Sequence, residues 1–340
     1  MTEHTSHIQK VASDADTDHR YSVLLYYCYT QIDDPTTFRE THHQYCLQHA
    51  LLGRIIVAAE GINGTLSGLR EDCQRYIQDL KADPRFRRTH FKVLAYHKHA
   101  FQKLHVRVKP EIVRADLPHI HPLRKTGRYL TPQAFRQMKD NDSVLLLDVR
   151  SQHEHTIGKF AGALTLDISY FREFPSQVAK LSAYKDREII TYCTGGVRCE
   201  KASAYLLAQG FQHVYQLEGG IIQYGLETDG RDFEGTCYVF DNRVTMPINR
   251  YNPTVISTCY VCQTTCDRMI NCADPICNRH VTMCSACAES LAGACSTACQ
   301  QQPTKRPYVS TGYYTKNVQG NDLHHGLRHQ RTGLSKAVHR

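Results

Sequence analysis

A chain of 340 residues, 41% hydrophobic and 22% charged, has room for two or three domains with separate cores, and its composition excludes a disordered or fibrous protein. It contains no apolar run of membrane-spanning length. The opening MTEHTSHIQKVASDADTDHR lacks a hydrophobic signal core, so a cytoplasmic location is expected and a membrane association is not. The net charge of +8 is uneven: residues 85–128 carry twelve Lys/Arg against two acids, and residues 301–340 carry seven against one. Basic blocks of this kind suit a polyanion such as RNA, although solvated surface would give the same counts.

YSVLLYY (21–27) predicts a strand, a helix opens at Pro35 and runs to about His49, and RIIVAAE (54–60) predicts a second strand. Asn63-Gly64 signals a turn before TLSG. A helix follows over 70–82, stopped by Pro84, and FKVLAY (91–96) and LHVRVKP (104–110) add two strands. The order β-α-β-β-α-β with an extra strand implies a ferredoxin-like domain over 21–110. Residues 111–130, with Pro110, Pro118, Pro122 and Gly127 in or beside them, have little periodicity and are expected to form a linker.

SVLLLDVR (143–150) and REIITYC (187–193) are continuous apolar runs, the pattern of parallel strands buried on both faces. A helix over 198–209 and HVYQL (213–217) complete a doubly wound α/β unit at 131–230. Residues 231–300 form a Cys-rich region. The first twenty residues are expected to be disordered, and 301–340 a basic, flexible tail.

The stretch YCTGGVRCEKAS (192–203) concentrates the chemistry. A buried strand ends at Cys193, the turn Thr194-Gly195-Gly196-Val197 follows, and a helix starts near Arg198. Such a turn aims backbone N–H groups inward and adds the positive end of a helix, so a thiolate at Cys193 is stabilised and its pKa depressed. Gly195 and Gly196 let the backbone curl around the sulfur, and Arg198 can offer a fork to an oxyanion. Cys199 is either a resolving thiol or a small core residue; Lys201 either reaches the same anion or faces solvent. Arg107 and Lys109, with Lys103 and Arg114, form a candidate phosphate-contacting face.

Nine of the fifteen cysteines fall in 259–299. The spacings Cys259-x2-Cys262, Cys272-x4-Cys277, Cys284-x2-Cys287 and Cys295-x3-Cys299 suit two four-thiolate zinc sites, leaving Cys266 over. Interleaved and sequential pairings are both open, and an iron–sulfur cluster is a smaller alternative. The twenty histidines show no spacing that singles out an iron triad. No G-x-G-x-x-G opens a helix after a strand, so no flavin or nicotinamide cofactor is expected.

The Cys193 loop resembles that of rhodanese-like domains, a Cys followed by five residues ending in Arg. LLLDVRSQHEHTIGKFAGAL (145–164) presents Asp148, Arg150, Glu154, Gly158 and Gly162 at that family's spacing, and LEGGIIQYG (217–225) resembles its closing loop and helix. Together with AAEGINGTLSG (58–68), VRVKPEIV (106–113), FREFP (171–175) and GTCYVFDNRV (235–244), the chain resembles the bacterial oxygen-dependent tRNA uridine hydroxylases over about residues 21–300. The resemblance implies 5-hydroxylation of uridine at wobble position 34 in the tRNA anticodon loop, with molecular oxygen as co-substrate and Cys193 and Arg198 as catalytic residues. It also implies a ferredoxin-like domain, a rhodanese domain and a Cys-rich end. The rival readings are a sulfurtransferase acting through a Cys193 persulfide and a zinc-dependent RNA-binding adaptor. The basic first domain and Cys-rich region count against the former, the intact Cys193 and Arg198 against the latter.

Overall fold

The computed structural model describes residues 20–308, so the expected disordered N-terminus and most of the expected tail lie outside the described residues. The chain divides between Ile112 and Val113 into two compact units.

The first unit runs β1 (Tyr21–Tyr29), α1 (Pro35–Gln48), β2 (Leu52–Ala58), β3 (Gly61–Leu69), α2 (Arg70–Ala82), β4 (His90–Tyr96) and β5 (Leu104–Val108). The strands form one sheet in the order β4-β1-β3-β2-β5, with β5 parallel to β2 and the other pairs antiparallel. This is the ferredoxin-like order with β5 added at an edge. Asp34 caps α1 by accepting from Thr36 and Thr37 backbone N–H groups at 3.0 Å each, and Pro35 occupies the first turn, where its missing N–H costs nothing. Tyr26, Ile55, Ile62, Leu66, Tyr76, Phe86 and Val106 fill the core.

The turn expected at Asn63-Gly64 is not there. Both residues lie inside β3, opposite Tyr27 and Tyr26, and the chain reverses at Ala59-Glu60. Gly64 is a packing residue: a Cβ there would lie 2.4 Å from the Tyr26 hydroxyl.

The second unit contains β6 (Arg128–Leu130), α3 (Pro132–Met138), β7 (Val144–Asp148), α4 (Gln152–His155), β8 (Gly158–Phe160), β9 (Leu164–Thr165), α5 (Phe174–Gln177), β10 (Glu188–Tyr192), α6 (Val197–Ala208), β11 (His213–Leu217) and α7 (Gly220–Thr228). It continues through β12 (Phe233–Tyr238), β13 (Thr245–Pro247), β14 (Met269–Asn271), β15 (His280–Thr282), α8 (Ser285–Ser290) and α9 (Thr297–Gln300). A parallel sheet has the order β6-β11-β10-β7-β9. The apolar runs of β7 and β10 both lie in it, as their sequences predict, and they pair with each other. The expected linker contributes to this core, because Ala115, Leu117 and Ile120 are buried in it with Val113 packed alongside. A small antiparallel sheet, β13-β12-β8, is not predicted from the sequence; β8 and β13 are three residues each, too short to carry a period.

In the Cys-rich region β14 and β15 make a hairpin, followed by α8 and α9. Residues 301–308, expected to open the tail, close this region instead. Arg306 donates to the Cys272 carbonyl and, at 2.7 Å, to Asn278 Oδ1, and Tyr308 packs against its core. Among the described residues no helix is long and apolar enough to cross a membrane.

Candidate active site

The parallel sheet creates the site through its connections. From β7 the chain leaves toward the β9 edge, and from β10 it leaves toward β11 on the other side. The loops after these adjacent strands therefore diverge at their C-terminal ends, opening the crevice where α/β sheets hold ligands. Arg150 and Glu154 follow β7; Cys193 to Arg198 follow β10.

Cys193 is 0% exposed. Its sulfur accepts from the Gly196 backbone N–H at 3.1 Å. Burial alone would push the thiol up. It is outweighed by a hydrogen bond from the Cys199 thiol, the Arg198 charge, and the Arg198 and Gly196 N–H groups, which bring Cys193 from its ordinary 9.0 to about 5. The cost falls on Cys199, whose own pKa is raised by burial and by the neighbouring thiolate. Cys199 is thus both a core residue and a direct partner of the reactive sulfur.

The loop closes because two glycines meet. Gly196 adopts φ +98°, in the left-handed region, and turns its N–H toward the sulfur. Gly220, at φ +67°, lets α7 approach so closely that a Cβ would lie 2.4 Å from the Cys193 carbonyl oxygen. Ile221 and Ile222 N–H groups then donate to the Cys193 and Thr194 carbonyls at 3.0 and 3.1 Å. Gly195 needs no such explanation, since a Cβ there would meet nothing within 4 Å.

Arg198 does not offer an open fork to an oxyanion. Its two terminal nitrogens donate to the Glu154 carboxylate at 2.5 and 2.7 Å, and both side chains are buried. Glu154 also accepts from the Ser151 N–H at 3.1 Å and from the Thr194 hydroxyl at 3.4 Å. Burial raises the Glu154 carboxyl, but the Arg198 charge and hydrogen bonds overcome it and hold the group at about 2. Sequence reasoning finds Glu154 at the family's spacing but gives it no role; its signal is the S-x-x-E spacing from Ser151, a capping pattern that here also aims the carboxylate. Lys201 neither faces solvent nor sits at the surface, being only 1% exposed. Arg150, fully buried, is paired with Asp148 through Nε at 2.9 Å and Nη2 at 2.6 Å, and braces the floor of the site.

The eight paired cysteines come together in the interleaved arrangement. Cys259, Cys262, Cys284 and Cys287 form one group, Cys272, Cys277, Cys295 and Cys299 the other, with the sulfurs of each within 4.8 Å of one another. Four thiolates about 2.3 Å from a tetrahedral ion stand about 3.8 Å apart. The separations Cys262–Cys284 (3.7 Å), Cys277–Cys295 (3.7 Å) and Cys295–Cys299 (3.9 Å) match. Sulfurs this close fit one ion per group and leave no room for a four-iron cluster. Cys266 belongs to neither group, and burial lifts its thiol to about 11. In the first unit Arg107 on β5 and Lys109 just beyond it are exposed, as is Lys103. Arg114, in the second unit, is paired with Asp116 at 3.0 Å.

A parallel sheet with a short Cys-to-Arg loop at its switch point, joined to a ferredoxin-like unit and a four-thiol region, defines a rhodanese-containing enzyme. Residues 21–112 match the UPF0176 acylphosphatase like domain, residues 131–226 the rhodanese-like domain, and residues 234–300 the rhodanase C-terminal family. Curated relatives named tRNA uridine(34) hydroxylase include one from Cytophaga hutchinsonii, 56% identical and covering 89% of this chain and 97% of its own. Another from onion yellows phytoplasma is 45% identical over 84% of this chain and 94% of its own; one from Staphylococcus carnosus is 43% identical over 85% and 92%. The chain belongs to the tRNA uridine(34) hydroxylase family.

Proposed function

We propose that this chain hydroxylates C5 of the uridine at wobble position 34 in the tRNA anticodon loop, consuming molecular oxygen, with Cys193 as the nucleophile. The observation that carries the reading is a fully buried thiol held as a thiolate at about pKa 5 where the loops after β7 and β10 diverge. A sulfur with that pKa is almost wholly ionised at neutral pH, and the thiolate is the form that attacks an electrophilic carbon.

Addition of the Cys193 sulfur to C6 of uracil forms a C–S bond and shifts the C5=C6 electron pair to C5 as an enolate through O4. C5 then becomes the electron-rich carbon at which oxygen enters. Loss of the C5 proton expels the sulfur and restores the double bond. One oxygen atom remains on C5, and the other leaves as water with two electrons and two protons from a reductant. Arg198 acts through its charge on the thiolate, and Glu154 fixes Arg198 in place. The two four-cysteine groups would each hold one zinc, and four thiolate ligands would confine it to a structural role. Arg107 and Lys109 supply phosphate contacts, and the reaction takes place in the cytoplasm, where these thiols stay reduced.

The test is nucleoside mass spectrometry of tRNA from a deletion strain complemented with wild type or Cys193→Ser. Wild type should restore 5-hydroxyuridine and the variant should not, with the variant's fold intact by circular dichroism. Restoration by Cys193→Ser removes the nucleophile from the reading; loss of a thiolated base in place of 5-hydroxyuridine makes the protein a sulfurtransferase.

A further inference from the structure

Most residues that build the Cys193 site are buried, but the ring of Phe240 is 47% exposed. It lies over the Arg198 guanidinium, 5.6 Å from carbon to ring centroid. Arg198 cannot swing to follow it, because Glu154 holds both terminal nitrogens. The position of the ring is also fixed from below. Tyr238 meets it edge-on at 5.2 Å, and Tyr238 is itself packed edge-on against His153 at 5.1 Å and His280 at 5.3 Å.

The loop that carries Phe240 is held at both ends. Val239 N–H donates to the Val244 carbonyl at 2.7 Å, and the buried Asp241 receives Arg243 Nη2 at 2.5 Å. Val244 sits at φ +62°, a left-handed conformation that a β-branched residue almost never adopts. Strain of this kind persists only where the surrounding structure over-determines it, and it clusters at ligand clamps. A half-exposed aromatic ring is thus placed beside the charged lining of a site whose sulfur has no exposure at all.

We infer that Phe240 is the stacking platform for the extruded target base, which lies on the ring face turned away from Arg198, beside the Cys193 site. The inference rests on the hydroxylase reading. A base swung out of the anticodon loop loses its stacking neighbours and needs an apolar face of its own width to replace them. Phe240 offers that face, and the guanidinium behind it is already packed, so the platform needs no rearrangement before the base arrives.

The experiment uses the full-length protein with Phe240→Ala, Phe240→Leu and Phe240→Tyr, and two anticodon stem-loop RNAs, one with uridine and one with an abasic residue at position 34. Stacking predicts that Phe240→Ala weakens binding of the uridine loop about 5- to 150-fold, leaving the abasic loop unchanged. Phe240→Tyr should bind as wild type, and Phe240→Leu, apolar but not aromatic, should follow Ala. Equal loss on both RNAs, or Leu as good as Phe, overturns the inference. Product formation by wild type in the same preparations reads the hydroxylase assignment separately, because binding discrimination at position 34 does not require turnover.

Discussion

The depressed pKa of Cys193 carries a stability consequence that can be worked through. From an ordinary 9.0 to about 5 is four pH units, or about 5 kcal/mol at about 1.36 kcal/mol per unit. Since the folded pKa is the lower one, this contribution is fully present above pH 9 and is lost as pH falls toward 5; at pH 7 about 3 kcal/mol of it remains. The perturbation that isolates the charge is the double substitution Glu154→Gln with Arg198→Met. Changing Arg198 alone would leave Glu154 buried without its partner and cost about 3–5 kcal/mol, whereas neutralising both removes the pair without stranding either charge. Iodoacetamide labelling with peptide mass spectrometry gives the rate at Cys193 against pH. Wild type should show an inflection near 5, and the double variant one shifted upward, because the Arg198 charge no longer opposes the effect of burial. Denaturant unfolding should rank the single Arg198 variant below the double. An unchanged inflection in the double variant refutes the role given to Arg198, and a wild-type inflection at or above about 8.5 refutes an activated thiol altogether.

Elemental analysis of desalted protein should find about two zinc ions per chain, and Cys262→Ser should lower that count and destabilise the region. Folded, active protein without metal would disprove the sites. Changing Arg107 and Lys109 to Ala should reduce the steepness of the salt dependence of tRNA binding by about 0.7 in the log–log slope for each single-strand phosphate no longer neutralised, leaving the modified position unchanged. An unaltered slope makes this face ordinary surface. Gly220→Ala should lose about 1–3 kcal/mol from its left-handed backbone alone, plus a collision with the Cys193 carbonyl, and Gly195→Ala should fold normally. Equal thermal melts for the two would contradict the loop geometry.

What was legible in the sequence was what periodicity and punctuation write down. The runs VLLL and EIITY are nearly continuous and largely buried on both faces, so they predict strands of a parallel sheet; that the two pair with each other is seen only in the structure. Pro35 marks the start of α1 because helix punctuation is local. Asn63-Gly64 misled for a reason that is equally physical. A glycine that makes a turn and a glycine that makes room for a tyrosine across the sheet are identical in one dimension, and only the register of β1 against β3 separates them. Within the stretch read as a linker, the burial of Ala115, Leu117 and Ile120 was not legible either, since they lie on irregular chain that has no period to detect.

The site was legible to the extent that it is local. Cys193, Gly196 and Arg198 lie within one loop, and the thiolate they make was readable from the turn and the helix start. The partner that turns Arg198 from an open anion clamp into a fixed charge lies 44 residues away, and no spacing rule joins them. The paired cysteines show the same boundary: each close pair could be read, but the choice between pairings depends on where the β14–β15 hairpin sends the chain. That hairpin brings 259–262 and 284–287 together from its two sides, while Cys272 and Cys277, on the connection between its strands, meet Cys295 and Cys299 from beyond it. Interleaving has an energetic corollary. Closing either group encloses in its loop the segment that holds half of the other, so closing one shortens the loop the other must close and couples the two. The loss of a single ligand should then loosen all eight sulfurs and not four.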